Sequence, residues 1–60
     1  MNIEVTKGEV VLGRVIDEQE VFDAYGTIVL PGFYPVVDDK VLGSYIDFPS
    51  ARDHILKLQS

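Results

Sequence analysis

His54 is the only histidine in the chain, and Ser50 precedes it by four residues, the separation that makes two side chains neighbours on a helix. A serine beside a histidine is the beginning of a nucleophile and its general base. Such a pair also needs a group to orient the base and donors to hold an oxyanion, and no motif in the chain supplies either. A minimal hydrolase built on Ser50 and His54 is therefore a formal alternative only. The better reading of His54 is a residue on a helix surface, and no catalytic residue is assigned.

The carboxylates fall into two groups, Asp17, Glu18, Glu20 and Asp23 in one and Asp38 with Asp39 in the other. Their spacing matches no calcium loop of the EF-hand type, which needs a glycine at mid-loop and a bidentate glutamate at its end. Aspartate is favoured in turns simply because its side chain bonds to nearby backbone. The five glycines, Gly8, Gly13, Gly26, Gly32 and Gly43, are dispersed and form no phosphate-cradling motif. No metal and no cofactor are expected.

The aromatic residues are more informative. Phe33 and Tyr34 are adjacent, so in a strand they point to opposite faces. With Phe33 inward, Tyr34 is expected outward beside Pro35, on a strand that proline confines to a sheet edge or a bulge. Tyrosines at exposed positions are typical anchors of protein contacts. The expected partner-binding residues are Tyr34 at the centre, Tyr25 and Tyr45 nearby, and Asp38 and Asp39 at the rim.

The elements that must position these residues are marked by a repeat. Val11-Leu12-Gly13-Arg14-Val15-Ile16-Asp17 returns thirty positions later as Val41-Leu42-Gly43-Ser44-Tyr45-Ile46-Asp47, with five of seven residues identical. The device is a β-rich stretch interrupted by glycine and closed by aspartate. A glycine inside a strand marks a bulge or a close backbone approach. Its recurrence predicts the same bend in both copies.

Residues 2–6 alternate apolar and polar, and Lys7-Gly8 turns the chain into a returning strand over 9–16. Residues 18–25 admit two readings. Asp17 and Glu20 have capping-box spacing, and Gly26 suits a helix end. Phe22, Ala24, Gly26, Ile28 and Leu30 instead share one face at a period of two. An isolated two-turn helix is too short to sustain itself in water, so the strand is favoured. Leu30-Pro31-Gly32-Phe33 is a turn, followed by strands over 33–37 and 41–46.

A C-terminal helix follows. Asp47 is its N-cap, Pro49 sits in its first turn, and Ile46 with Ala51 occupies the hydrophobic-staple positions. Phe48, Ala51, Ile55 and Leu58 form its apolar face, with Leu56 at the flank. The expected fold is one α+β domain over residues 1–60. It is a small antiparallel β-meander of four to five short strands, open or closed into a barrel, with one C-terminal α-helix. The duplication allows an alternative, ββα followed by ββα.

Composition narrows the function classes. Sixty residues without cysteine bury a modest core and use neither disulfides nor thiolate metal sites. Ten acidic residues against five basic ones, a net charge of −5, oppose direct nucleic-acid binding. Neither a signal peptide nor a membrane-length apolar run is visible, so a cytoplasmic protein is expected. The expected function is a small acidic, non-enzymatic protein-binding module. It would act as inhibitor, adaptor or accessory subunit of a larger, basic partner, including one that binds nucleic acid, as some phage-type inhibitors do. The alternative is a structural protein that self-assembles through an edge strand or the C-terminal helix.

Overall fold

The computed structural model of the protein describes residues 1–26 and 29–58. The alternating N-terminal residues form β1 (Asn2–Lys7), and a two-residue turn returns the chain as β2 (Val10–Asp17), with Lys7 opposite Val10. Then come α1 (Glu18–Tyr25), β3 (Phe33–Val37), β4 (Lys40–Val41) and α2 (Phe48–Leu58). Among the described residues four strands pair antiparallel in chain order, in an open sheet. The expected α+β meander with a C-terminal helix is observed, and its element order is that of the ββα-ββα alternative.

Residues 18–25 correct the favoured strand reading. They form a helix because both of its ends are satisfied locally. The Asp17 carboxylate accepts from the Glu20 amide at 3.0 Å, and Gly26, at φ 69°, donates its amide to the Phe22 carbonyl at 2.7 Å. Eight residues are too few to hold a helix in water, but packing one face on a sheet replaces the missing self-stability. Val21 is buried there against Ile16, Tyr34 and Val36. The period-two pattern was the weaker signal. Its position Ile28 lies outside the described residues.

The register places the two helices on opposite faces. Val15 lies opposite Pro35, and Ile16 opposite Tyr34. Val15 and Val5 pack with Ala51 and Ile55 of α2, flanked by Phe33, Val37, Phe48 and Leu56. Ile16, Tyr34 and Val36 face α1. Each face of the sheet therefore has its own small apolar cluster. Leu58, expected on the inward face of α2, is 54% exposed.

Pro35 does not lie on an edge strand, because β3 is flanked by β2 and β4. The sheet accommodates it differently. The Pro35 carbonyl accepts from the Leu42 amide at 2.8 Å, on the β4 side. That is also the side to which its missing N–H would point, and there β4 leaves the ladder after Val41. Pairing resumes only at Tyr45, which exchanges both backbone bonds with Phe33 at 2.7 and 2.8 Å. The expected strand over 41–46 is thus two short contacts separated by a gap.

Both repeat glycines stand at interruptions of the pairing, but the two copies do not share the one bend that the repeat predicted. Val5 pairs with Gly13 and Thr6 with Val11, so Leu12 is a bulge beside Gly13. A Cβ on Gly13 would lie 2.6 Å from the Val36 carbonyl oxygen, an approach only glycine permits. Gly43 sits in the gap between Val41 and Tyr45, where a Cβ would meet nothing nearer than the Tyr45 ring at 3.7 Å.

The repeated aspartates do the same work. Asp47 accepts from the Ser50 amide at 2.8 Å, matching Asp17 at α1. The Ser50 hydroxyl, and then its amide, hold the Asp47 carboxyl below the usual aspartate range. Asp17 is lowered by the Glu20 amide and then by the N-terminal ammonium, which lies 3.1 Å away. That ammonium is in turn raised, chiefly by its hydrogen bond to Asp17. The hydrophobic staple does not form: Ala51 is fully buried while Ile46 is 90% exposed. Among the described residues no helix is long and apolar enough to cross a membrane.

Candidate binding surface

Val37 pairs with Lys40, so β3 and β4 are joined by the two residues Asp38 and Asp39 alone. One of the two turns that match a two-residue hairpin to the twist of its strands, type I′, has positive φ at both positions. Asp38 and Asp39 adopt 52° and 63°. Asparagine and glycine are the usual occupants, and aspartate is among the few other residues that tolerate this region. The outcome is two adjacent carboxylates on an exposed tip.

Tyr25, the last residue of α1, reaches this tip. Its hydroxyl donates to the Asp39 carbonyl at 3.4 Å, and its side chain remains about half exposed. Arg14 projects from the same face of β2, with Nη2 3.8 Å from Asp39 Oδ1. Glu4 of β1 stands opposite Arg14 in the register. Glu4, Val11, Arg14, Val36, Asp38 and Asp39 line a shallow cleft of about 230 Å³ on the part of the sheet that α1 leaves uncovered. The Arg14 side chain is 42% exposed, though its Nε atom is itself buried and has no hydrogen-bond partner among the described residues.

Of the residues expected to bind a partner, Tyr25, Asp38 and Asp39 are therefore brought together. Tyr34 is not part of the surface. It is 6% exposed, and its hydroxyl donates to the Leu30 carbonyl. Its outward orientation was inferred from an edge strand that proves to be internal, with α1 covering the face it points to. Phe33 does not displace it outward, because both faces of β3 are covered. Tyr45 lies on the other face, half-buried beside α2.

Tyr45 borders a second, larger cavity of about 490 Å³, lined also by Ser50, Asp53, His54, Lys57 and Leu58. Here the serine–histidine pair can be judged. His54 Nδ1 is hydrogen-bonded to the Tyr45 hydroxyl at 2.7 Å, with the two rings edge to face at 5.7 Å. Ser50 is engaged by Asp47. Each residue has a structural partner other than the one catalysis would require. Among the described residues no three histidine, cysteine, aspartate or glutamate side chains converge as a metal site would need.

Glu4 and Arg14 were missed as surface residues. A signal was present at Arg14: the repeat differs at two of its seven positions, Arg14 against Ser44 and Val15 against Tyr45. The first mismatch lies in the acidic cleft and the second at the His54 cavity. In comparison with known proteins, no family model, curated protein or solved structure matches the chain.

Proposed function

We propose that the protein is a small acidic, non-enzymatic protein-binding module of the cytoplasm, an inhibitor, adaptor or accessory subunit of a larger basic partner. The observation that carries this reading is the placement of Tyr25. A half-exposed aromatic ring lies with its hydroxyl 3.4 Å from the main chain of a tip bearing two carboxylates. Rigid aromatic anchors supply contact area at little entropic cost, and flanking charges steer a partner of opposite sign. Glu4, Asp38 and Asp39 outnumber Arg14 in the cleft, and the net charge of −5 extends the same field. A partner that itself binds nucleic acid fits this surface, with the carboxylates standing where phosphates would.

Affinity capture with the intact chain and with a Tyr25→Ala, Asp38→Asn, Asp39→Asn variant tests the proposal. A basic protein retained by the first and lost by the second supports it. Equal retention by both places the contact elsewhere and removes the assignment.

A second reading rests on β1, which forms one end of the sheet and runs for six residues with its outer side unpaired in the ladder. Such an edge can pair with a second copy. Sedimentation equilibrium across a wide concentration range checks this. A monomer throughout excludes self-assembly.

A further inference from the structure

We infer that the protein dimerises through β1, a second copy pairing antiparallel along that edge with Val5 at the two-fold axis. The inference rests on the self-assembly reading given above and specifies its partner and register. The two edges of the sheet are unlike. β4 is two residues long and offers little to pair with, whereas β1 runs from Asn2 to Lys7 without proline. Among the described residues no strand pairs with the outer side of β1. The bulge of the first hairpin lies on β2 at Leu12, so β1 itself stays regular. Short strands, prolines and bulges are common guards of a sheet edge. β4 has the first of them, and β1 has none.

Charge permits a like copy here. Two copies repel through a net charge of −5 each, but β1 carries one acid and one base, Glu4 and Lys7, and is locally neutral. A partner subunit is also one of the few staples open to a sixty-residue chain without cysteine.

The register follows from symmetry and side-chain type. A two-fold axis that sets identical strands side by side and antiparallel runs perpendicular to the sheet, so residues opposite each other share a face. The pairing must then centre on one residue. A centre at Glu4 sets two carboxylates directly opposite, which is unfavourable. Centres nearer either end of the strand shorten the pairing. A centre at Val5 pairs the strand from Ile3 to Lys7 with no like charges opposed. Val5 meets Val5 of the copy, Glu4 meets a Thr6 hydroxyl that can donate to it, and the aliphatic stem of Lys7 covers Ile3, whose side chain is 42% exposed.

Because the chain has no cysteine, the register can be read by cross-linking without background. Glu4 and Thr6 are both exposed, so cysteine at either position leaves the core intact. Equal amounts of Glu4→Cys and Thr6→Cys protein are mixed and oxidised, and each is oxidised alone. The mixture should give a disulfide joining the two variants, identified by mass. Either variant alone should give far less, since like positions then lie on a diagonal about 7–8 Å long, beyond disulfide reach. In sedimentation equilibrium the unaltered chain should pass from monomer to dimer with concentration. Thr6→Lys should tighten that dimer several-fold and Thr6→Glu loosen it, as each sets a charge opposite Glu4 twice by symmetry. Monomer at every concentration would overturn the inference together with the self-assembly reading. A dimer in which one variant cross-links as readily alone as in the mixture, or in which no cross-link forms, overturns the pairing stated here and leaves self-assembly through another register or surface.

Discussion

Asp17 and Asp47, thirty residues apart, each accept a hydrogen bond from the backbone amide three positions on, at 3.0 and 2.8 Å. The repeated heptapeptide therefore ends both times in a helix N-cap. What precedes the cap differs. The first copy is a continuous strand with a bulge, and the second breaks open between Val41 and Tyr45.

Removal of either cap should be felt. Asp17→Ala and Asp47→Ala are expected to lower the urea midpoint by comparable amounts, since each leaves a helix amide without its acceptor. Asparagine at either position should restore most of the loss. A silent Asp17→Ala would show that α1 is held by packing alone.

The two caps and the N-terminus also set the pH response. Asp17 and Asp47 are lowered from 3.8, so their contribution is present above that value and is lost as pH falls through their folded-state values. The N-terminal amine is raised from 8.0, so its contribution is complete below 8.0 and is lost as pH rises through the folded-state value. Thermal midpoints should be flat near neutrality, fall in acid and decline slightly in alkali. Asp17→Asn should remove most of the alkaline decline and part of the acid one.

Gly13 and Gly43 offer a direct comparison of the two repeats. Gly13→Ala would place a methyl group 2.6 Å from the Val36 carbonyl oxygen, which is backbone within a paired strand and cannot yield cheaply. Gly43→Ala meets nothing nearer than 3.7 Å. The first should lower the melting temperature clearly and the second should leave it nearly unchanged. Equal effects would mean that the glycines serve the same purpose.

The core should be intolerant of truncation. Ile55 is completely buried between α2 and the sheet. Ile55→Ala is expected to cost ~2–5 kcal/mol. A domain of this size has only about 3–9 kcal/mol in total, so much of the population should unfold. Circular dichroism at ambient temperature is sufficient to see it.

The C-terminal helix, the first hairpin and the cap at Asp47 were legible because their signals are local: a proline in the first turn, alternation, an aspartate before an apolar periodicity. The first helix was misread because eight residues carry little intrinsic preference and tertiary packing decided between two patterns. Tyr34 was misplaced for a related reason. Alternation correctly separated it from Phe33, but the face it points to is covered by α1, the segment whose strand reading left that face open. The joining of Tyr25 to Asp39 depends on where α1 ends relative to a hairpin fourteen residues later. Glu4 and Arg14 meet the acidic tip only through strand register.

The two faces of the molecule make the central claim testable in one comparison. Titration calorimetry of the captured partner should be run against Tyr25→Ala and against His54→Ala, which alters the opposite cavity. The account predicts at least about tenfold weaker binding for Tyr25→Ala, ~1.4 kcal/mol or more, and unchanged binding for His54→Ala. Unchanged binding by Tyr25→Ala with a loss on His54→Ala would contradict it and move the contact to the face of α2.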